Sequence, residues 1–396
     1  MISISRLYLG REEASDRLRY RARPGGTVSR APVVVVWNAT ARCNLACIHC
    51  YSSSGREADD GELTTAEGLA LIDDLAAFGV QVLLLSGGEP LMRPDWTDLI
   101  ARARERGLRV SLSTNGTLLD AGAARRLKDL GITYAGISLD GMKPTHDRFR
   151  GRAGAFESAL AGVRAGRAAG LKVGLRYTLT RHNAADVPAL FDLIESENVP
   201  RVCFYHLVYS GRGAELAADD LDRAAARRMV DLIVDRAAAL ASRGRAVEVL
   251  TVDNHCDGPY LHLRLLREGR PEHAAEALRL LRIGAGRGTG QNIGGVSWDG
   301  TVFPDQFWRT HPLGNVRERP FSAIWSDDSI LLLRELRDRA AHVRGRCAAC
   351  RFLDVCGGNF RARGEAATGD SWGVDPACYL TDDEIAPVAA PAEDEP

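Results

Sequence analysis

The chain has 396 residues, of which 45% are hydrophobic and 26% charged, and its net charge is −1. That size and balance suit a soluble globular protein with ample core, in one large domain plus a smaller one. They leave no field favouring nucleic acid or an acidic membrane surface, and no apolar run is long enough to span a bilayer.

The N-terminal stretch mixes charges early and has no h-region or cleavage site, so the expected location is the cytoplasm. Residues 33 to 208 alternate short apolar, β-branched runs with amphipathic stretches. The runs begin at Val33, Val80, Arg109, Tyr134, Lys172 and Arg201, and helix-like stretches lie between them at 64–78, 95–106, 121–130, 155–169 and 186–197. Thr64 and Thr65 ahead of Glu67 make a helix start. Six strands with five intervening helices predict a parallel sheet with right-handed crossovers, either a partial (β/α) barrel or a doubly wound sheet. A helix at 219–242 then leads to another strand from Val247. Residues 284–295 are glycine-rich and read as a linker or mobile loop. Asp299-Gly300 signals a hairpin, a helix is expected at 329–340, and the tail from Glu384 reads as disordered.

Seven of the nine cysteines fall in two tight groups, which in a cytoplasmic chain points to metal ligation rather than disulfides. Cys43, Cys47 and Cys50 are spaced C-x3-C-x2-C just after the first strand. Three thiolates hold a cubane cluster by three irons and leave the fourth open to an outside ligand. Zinc is the alternative for such a triplet, but it leaves the other strand-end motifs unexplained. Those motifs are Gly87-Gly88-Glu89-Pro90, Thr114-Asn115-Gly116 and Ser138-Leu139-Asp140-Gly141, which end the second, third and fourth strands. In parallel α/β folds the C-terminal strand ends form the active face. In the second group, Cys347, Cys350 and Cys356 are joined by Cys378 further on. Four thiolates fit a fully ligated 4Fe–4S cluster or a zinc ribbon equally well. Of the isolated pair, Cys203 reads as a core residue, and Cys256 sits at a strand end where a ligand or substrate role is open.

The triplet loop, GGEP and SLDG together resemble the radical S-adenosylmethionine (SAM) superfamily over roughly residues 30 to 210. The resemblance implies that SAM chelates the open iron and that its reductive cleavage gives a 5′-deoxyadenosyl radical, with a ferredoxin or flavodoxin as electron donor. It implies SAM contacts from His49, Gly87, Gly88, Glu89, Ser113, Asn115, Ser138 and Asp140. The glycines would let the strand edge approach the methionine. Either Arg150 or Arg176 would pair with the SAM carboxylate. The second cysteine group resembles the SPASM extension, which favours iron–sulfur over zinc. That extension usually carries seven cysteines and two clusters, whereas Asp305 and Phe360 stand here at two of the expected cysteine positions. The implied cofactors are therefore two 4Fe–4S clusters, one binding SAM and one auxiliary, the latter a natural acceptor for a leftover electron.

The implied fold is a partial (β/α)6 barrel over 31–255 after an N-terminal segment 1–30. A bridging region 256–295, a SPASM-like domain 296–383 and a disordered tail 384–396 would follow. Strings such as TVDNHCDGPYLHLRLLRE and CRFLDVCGGNFRARGEAATGD extend the resemblance to the NirJ-type enzymes of haem d1 biosynthesis and their relatives in the siroheme-dependent haem pathway. The implied substrate is a modified tetrapyrrole, with propionate removal from didecarboxysiroheme expected first and acetate removal or propionate decarboxylation as the alternatives. A flat ring with several carboxylates wants cations and aromatics, and Arg212, Arg264, Arg309, Tyr260, Phe307 and Trp308 are the candidates. Among His206, His255 and His262, His255 is the chosen catalytic residue. A peptide maturase would want a larger N-terminal peptide-binding domain, and an electron carrier would need neither the open iron nor GGEP. With one triplet and one quartet, anaerobically prepared protein should carry about eight irons per chain; about twelve would restore the missing auxiliary cluster.

Overall fold

The computed structural model describes residues 1–20, 30–57, 61–284 and 288–387. Its strands are β1 (Ile2–Ser3), β2 (Val34–Asn38), β3 (Val82–Ser86), β4 (Arg109–Thr114), β5 (Tyr134–Ser138), β6 (Val173–Leu179), β7 (Arg201–His206), β8 (Glu248–Val252), β9 (Ile293–Val296), β10 (Thr301–Phe303) and β11 (Gly314–Asn315). They form one sheet in the order β1-β8-β7-β6-β5-β4-β3-β2-β9-β10-β11. From β2 to β8 each strand pairs in parallel with the next in sequence. Over these seven strands the order never reverses. A doubly wound sheet needs a reversal point, so the sequential order selects the barrel-type alternative, a partial barrel with helices on its outside.

The crossover helices lie where periodicity places them, at Thr65–Phe78, Trp96–Glu105, Ala121–Asp129, Ala155–Ala168, Val187–Ser196 and Arg223–Ser242. The first opens on the expected capping box, with Thr64 and Glu67 bonding each other's backbone N–H. Lys143–Arg150, a short helix after β5, carries too few apolar residues for a sequence pattern to reveal it.

Three segments depart from the expected boundaries. The N-terminal segment is not a mere leader, because β1 pairs antiparallel with β8 and closes that edge of the sheet. The bridging region contains helices Asp257–Arg267 and Pro271–Gly284, and within the presumed glycine linker β9 pairs in parallel with β2. The glycines of β9 serve packing. A Cβ on Gly294 would stand 2.9 Å from the Trp325 ring, and one on Gly295 would stand 2.7 Å from the Asp305 backbone. The third departure is Glu384, which caps helix Asp382–Ile385 and accepts both Arg227 and Arg267. Of the expected tail, residues 388–396 lie outside the described residues.

The sheet carries on into the C-terminal unit. β10 pairs antiparallel with β9 through the expected Asp299-Gly300 turn, and with β11 on its other side. A fully buried ion pair stiffens that unit. Arg363 Nε and Nη2 reach the two Asp375 oxygens at 2.8 Å, and both side chains have no exposed surface. Asp375 also accepts the backbone N–H of Phe360 and Ala377, and Arg363 Nη1 reaches Leu207 O just past β7. Every nitrogen and oxygen of this pair therefore has a partner, the condition under which a buried ion pair holds. Asp375→Ala strands the Arg363 charge in the core and should lower stability by about 3–5 kcal/mol in anaerobic urea denaturation, with Asp375→Asn costing less.

Candidate active site and auxiliary cluster site

The C-terminal ends of β2 to β8 surround one cavity, and the cysteine triplet lies at its rim. Cys43, Cys47 and Cys50 line it together with His49, Gly87, Gly88, Ser113, Asn115, Ser138, Asp140, Arg150 and Arg176. Residues drawn from four strand ends and one loop therefore meet as expected. Of the proposed SAM contacts only Glu89 stays out of the lining.

The loop bearing the triplet is fastened to its neighbours through backbone contacts. Gly88 N and Glu89 N donate to Thr40 O and Arg42 O, each at 2.7 Å. A Cβ on Gly88 would lie 2.1 Å from Arg42 O, and one on Gly87, at φ +139°, would lie 2.6 Å from Thr40 O. The glycines answer first to this close approach of two backbones rather than to a cofactor. Glu89 is wholly buried; its Oε1 accepts Thr114 Oγ1–H and Leu91 N–H, and its Oε2 accepts Asn115 N–H. Burial pushes Glu89 up to about 7 against those hydrogen bonds. Its place is to tie β3 to β4, not to face a ligand.

Two arginines brace the loop electrostatically. Arg150 Nη1 donates to Cys47 Sγ at 3.3 Å, while its Nη2 pairs with Asp140. His49 Nε2 lies 3.4 Å from the same Asp140 oxygen, and Thr178 N donates to the other. Burial would raise Asp140, but Arg150 and His49 hold it well below the usual carboxylate range. Arg212 Nε donates to Cys47 O and its Nη1 to Ser54 O, which pins the far end of the loop. Arg176 differs. Its guanidinium stacks 4.8 Å from the Tyr205 ring centre and has no hydrogen-bond or ion-pair partner among the described residues. Burial drives Cys43 up to about 12 and raises Cys47 as well. Buried thiols of this kind ionise only when a positive centre replaces the lost water, which suits iron ligation.

The quartet also converges. Cys347, Cys350, Cys356 and Cys378 line one small cavity of about 20 Å³, closed by Phe352, Leu353 and Leu380. All four are free thiols. Asp305 and Phe360, at the two missing cysteine positions, are buried, and Asp305 is fully engaged by Thr289 and the Phe307 and Trp308 N–H groups.

The substrate candidates separate sharply. His206 and Phe307 line the cavity beside the triplet, as does Arg212. A second, wider cavity of about 740 Å³ shares Tyr51, Ser52 and Phe307 with the first and is also lined by Trp308, Arg309 and His311. By contrast, Tyr260 and Arg264 are committed to Asp231, and His262 bonds Ala274 O; none of them reaches either cavity. Their helix, Asp257–Arg267, packs against Pro271–Gly284 outside the sheet, so amphipathic spacing had signalled packing instead of binding.

His255 and Cys256 are also displaced from the expected active face. β8 ends at Val252, and Asp253 turns at φ +65°. That turn sends the next residues toward the quartet: His255 Nδ1 lies 3.2 Å from Cys356 O, and His255 N donates to Asn359 Oδ1. Cys256 is buried, its thiol reaches Asn254 Oδ1 at 3.2 Å, and its presence beside Cys378 lowers that thiol from its ordinary value. Asp253 itself lines the cavity beside the triplet, a residue that the sequence expectations did not include; its position one past a strand end was the available signal.

Residues 37–194 match the Radical SAM superfamily, and residues 289–351 match the SPASM iron–sulfur cluster-binding domain. The chain is 52% identical, over 97% of its length and 99% of the relative's, to the Fe-coproporphyrin III synthase of Methanosarcina barkeri. This chain belongs to the radical SAM superfamily. The pre-heme d1 synthase of Dinoroseobacter shibae is 43% identical over 88% of this radical SAM enzyme and 86% of its own length. In fold, the enzyme matches the solved structure of anSMEcpe with bound AdoMet at a TM-score of 0.67 and 18% identity, covering 87% of this chain and 94% of that one. The pairing of domains implies SAM and two 4Fe–4S clusters, and the converging triplet and quartet supply donor sets that fit them. No helix among the described residues is long and apolar enough to cross a membrane. Gly88→Ala should push the triplet loop away from β3, and iron per chain should fall from about eight to about four while the quartet keeps its share.

Proposed function

We propose that this radical SAM enzyme belongs to haem biosynthesis and removes carboxylate-bearing side chains from a modified tetrapyrrole held in the wider cavity. The observation that carries the reading is the shared wall of Tyr51, Ser52 and Phe307. A ring seated in the 740 Å³ space presents its edge to the SAM-side cavity without entering it. The volume falls within the range of about 300–1,000 Å³ usual for small-molecule sites.

In this reading Cys43, Cys47 and Cys50 hold the open cluster, and Cys347, Cys350, Cys356 and Cys378 hold the auxiliary one. SAM, when bound, supplies a carbon radical able to take a hydrogen that no side-chain base removes at neutral pH. Arg176, the half-buried cation without a hydrogen-bond or ion-pair partner among the described residues, receives the SAM carboxylate, because Arg150 is already spent on Asp140 and Cys47. Ser113, Asn115 and Ser138 offer polar contacts along the strand ends, and His49 packs toward the adenine from its place beside Phe149. Arg309 is the cation for a substrate carboxylate. It stacks on Trp298 and Phe303, gives Nη2 to Ser297 Oγ, and leaves its buried Nη1 unbonded.

The 52% identity to a Fe-coproporphyrin III synthase favours acetate removal, giving an iron coproporphyrin, over the propionate removal first expected. The 43% relative named for pre-heme d1 keeps propionate removal as the second reading. Anaerobic incubation with SAM, reductant and didecarboxysiroheme, read by mass spectrometry, separates them: loss of acetates is expected, loss of propionates selects the second, and no reaction rejects both. Arg309→Ala should weaken substrate binding about tenfold to a hundredfold, the worth of one charged hydrogen bond, and leave substrate-free SAM cleavage unchanged.

A further inference from the structure

Helix Arg361–Thr368 borders the wider cavity and carries Glu365, which gathers four donors. Trp308 Nε1 and Thr310 Oγ1 reach its Oε2 at 2.7 and 2.9 Å, while His311 Nε2 and Ser371 Oγ reach its Oε1 at 2.6 Å each. Both oxygens are thus surrounded by donors, among them an indole N–H that can only donate, and a carboxylate so placed serves as the acceptor in each bond. The proton on His311 must then sit at Nε2. In the neutral imidazole that leaves Nδ1 as a bare lone pair, and Nδ1 has no partner among the described residues. The Trp308 ring meets the imidazole edge-on, with centres 5.0 Å apart, and fixes its plane.

A histidine that gives one ring N–H to a carboxylate and keeps the other nitrogen free is the arrangement of a metal ligand. The cavity offers no second ligand for a bare ion. Tyr209 is bonded to Asp220 and Tyr51 to Asn38, and the carboxylate in the lining, Glu365, is already taken up by four donors. One imidazole alone suits a metal that arrives already held by four equatorial nitrogens and lacks only an axial donor. Of the cavity's lining residues, His311 is the histidine.

We propose that His311 Nδ1 is the axial ligand to the iron of the bound tetrapyrrole, with Glu365 as the positioning residue that sets its tautomer and plane. This rests on the reading of the wider cavity as the substrate site. Anchoring the ring at its centre fixes which peripheral side chains face the shared wall of Tyr51 and Phe307. It also explains why a biosynthetic enzyme acting on the periphery would distinguish an iron-loaded ring from an empty one.

The test uses anaerobic holoenzyme with two probes, iron(III) coproporphyrin III and metal-free coproporphyrin III. The wild type should give a histidine-ligated iron spectrum. Pulsed EPR of that complex should show one strongly coupled imidazole nitrogen, a readout that needs no variant. His311→Ala should lose the spectrum, regain it with added imidazole, and bind the metal-free ring as the wild type does. Glu365→Gln should keep the ligand and raise the iron midpoint potential, because a neutral amide makes the imidazole a weaker donor. Absence of the imidazole nitrogen in the wild type, or an iron spectrum unchanged in His311→Ala, overturns the ligand assignment while metal-free binding leaves the substrate reading standing. If neither ring binds the wild type, the substrate reading itself fails and the ligand assignment falls with it.

Discussion

The site depends on one steric constraint: two backbones approach so closely at the end of β3 that a side chain cannot stand between them. Gly88 faces Arg42 O at a distance that excludes a Cβ, and the N–H groups of Gly88 and Glu89 bond to the loop across the gap. Because that contact is made by backbone, it sets the loop's height above the sheet independently of any cofactor. Cys43, Cys47 and Cys50 inherit their position from it. Glu89 then joins β3 to β4 beneath the loop, so the strand ends forming the cavity floor move as one piece.

Electrostatics finish what sterics begin. Arg150 lies between Asp140 and Cys47 and supplies a fixed positive charge beside a sulfur that must ionise to bind iron. Asp140 satisfies that charge from below, and His49 and Thr178 complete its shell. Arg176 is left half-buried against the face of Tyr205, without a hydrogen-bond or ion-pair partner among the described residues. A cation so placed favours a carboxylate in the cavity, since partial burial strengthens its field. The buried Arg363–Asp375 pair does similar work in the C-terminal unit, ordering the turn that delivers Cys378 to the other three thiols.

Much of this architecture was legible in the residues. Alternating apolar runs and amphipathic stretches gave strands and helices nearly to their ends, because each element's period is set by its own geometry. The motifs at the ends of β2 to β5 reached one face because parallel strands all end on the same side. Misreadings arose where one residue type serves two purposes. The glycines of 284–295 looked like a linker, yet Gly294 and Gly295 are strand residues pressed against Trp325 and Asp305. Tyr260, His262 and Arg264 looked like substrate contacts, yet Tyr260 and Arg264 face Asp231 of one neighbouring helix and His262 the Ala274 carbonyl of another. His255 sits two residues beyond the turn at Asp253, and that single left-handed residue redirects it to the quartet.

By itself the sequence determined the chemistry: two sets of thiols at cluster spacing, and a strand-end glycine pair beside the first. Spacing along a chain is a local property, and local covalent geometry decides which thiols fall within reach of one another. Only the tertiary structure decided which arginine lacks an ion-pair partner among the described residues, which histidine lines the wider cavity, and that the two cavities share a wall. Those depend on which side chains from distant segments neutralise one another first. Arg150 and Arg176 are equivalent as letters, and Asp140 alone makes them different. Likewise His311 is one of nine histidines until Glu365, brought alongside by the fold, fixes its proton.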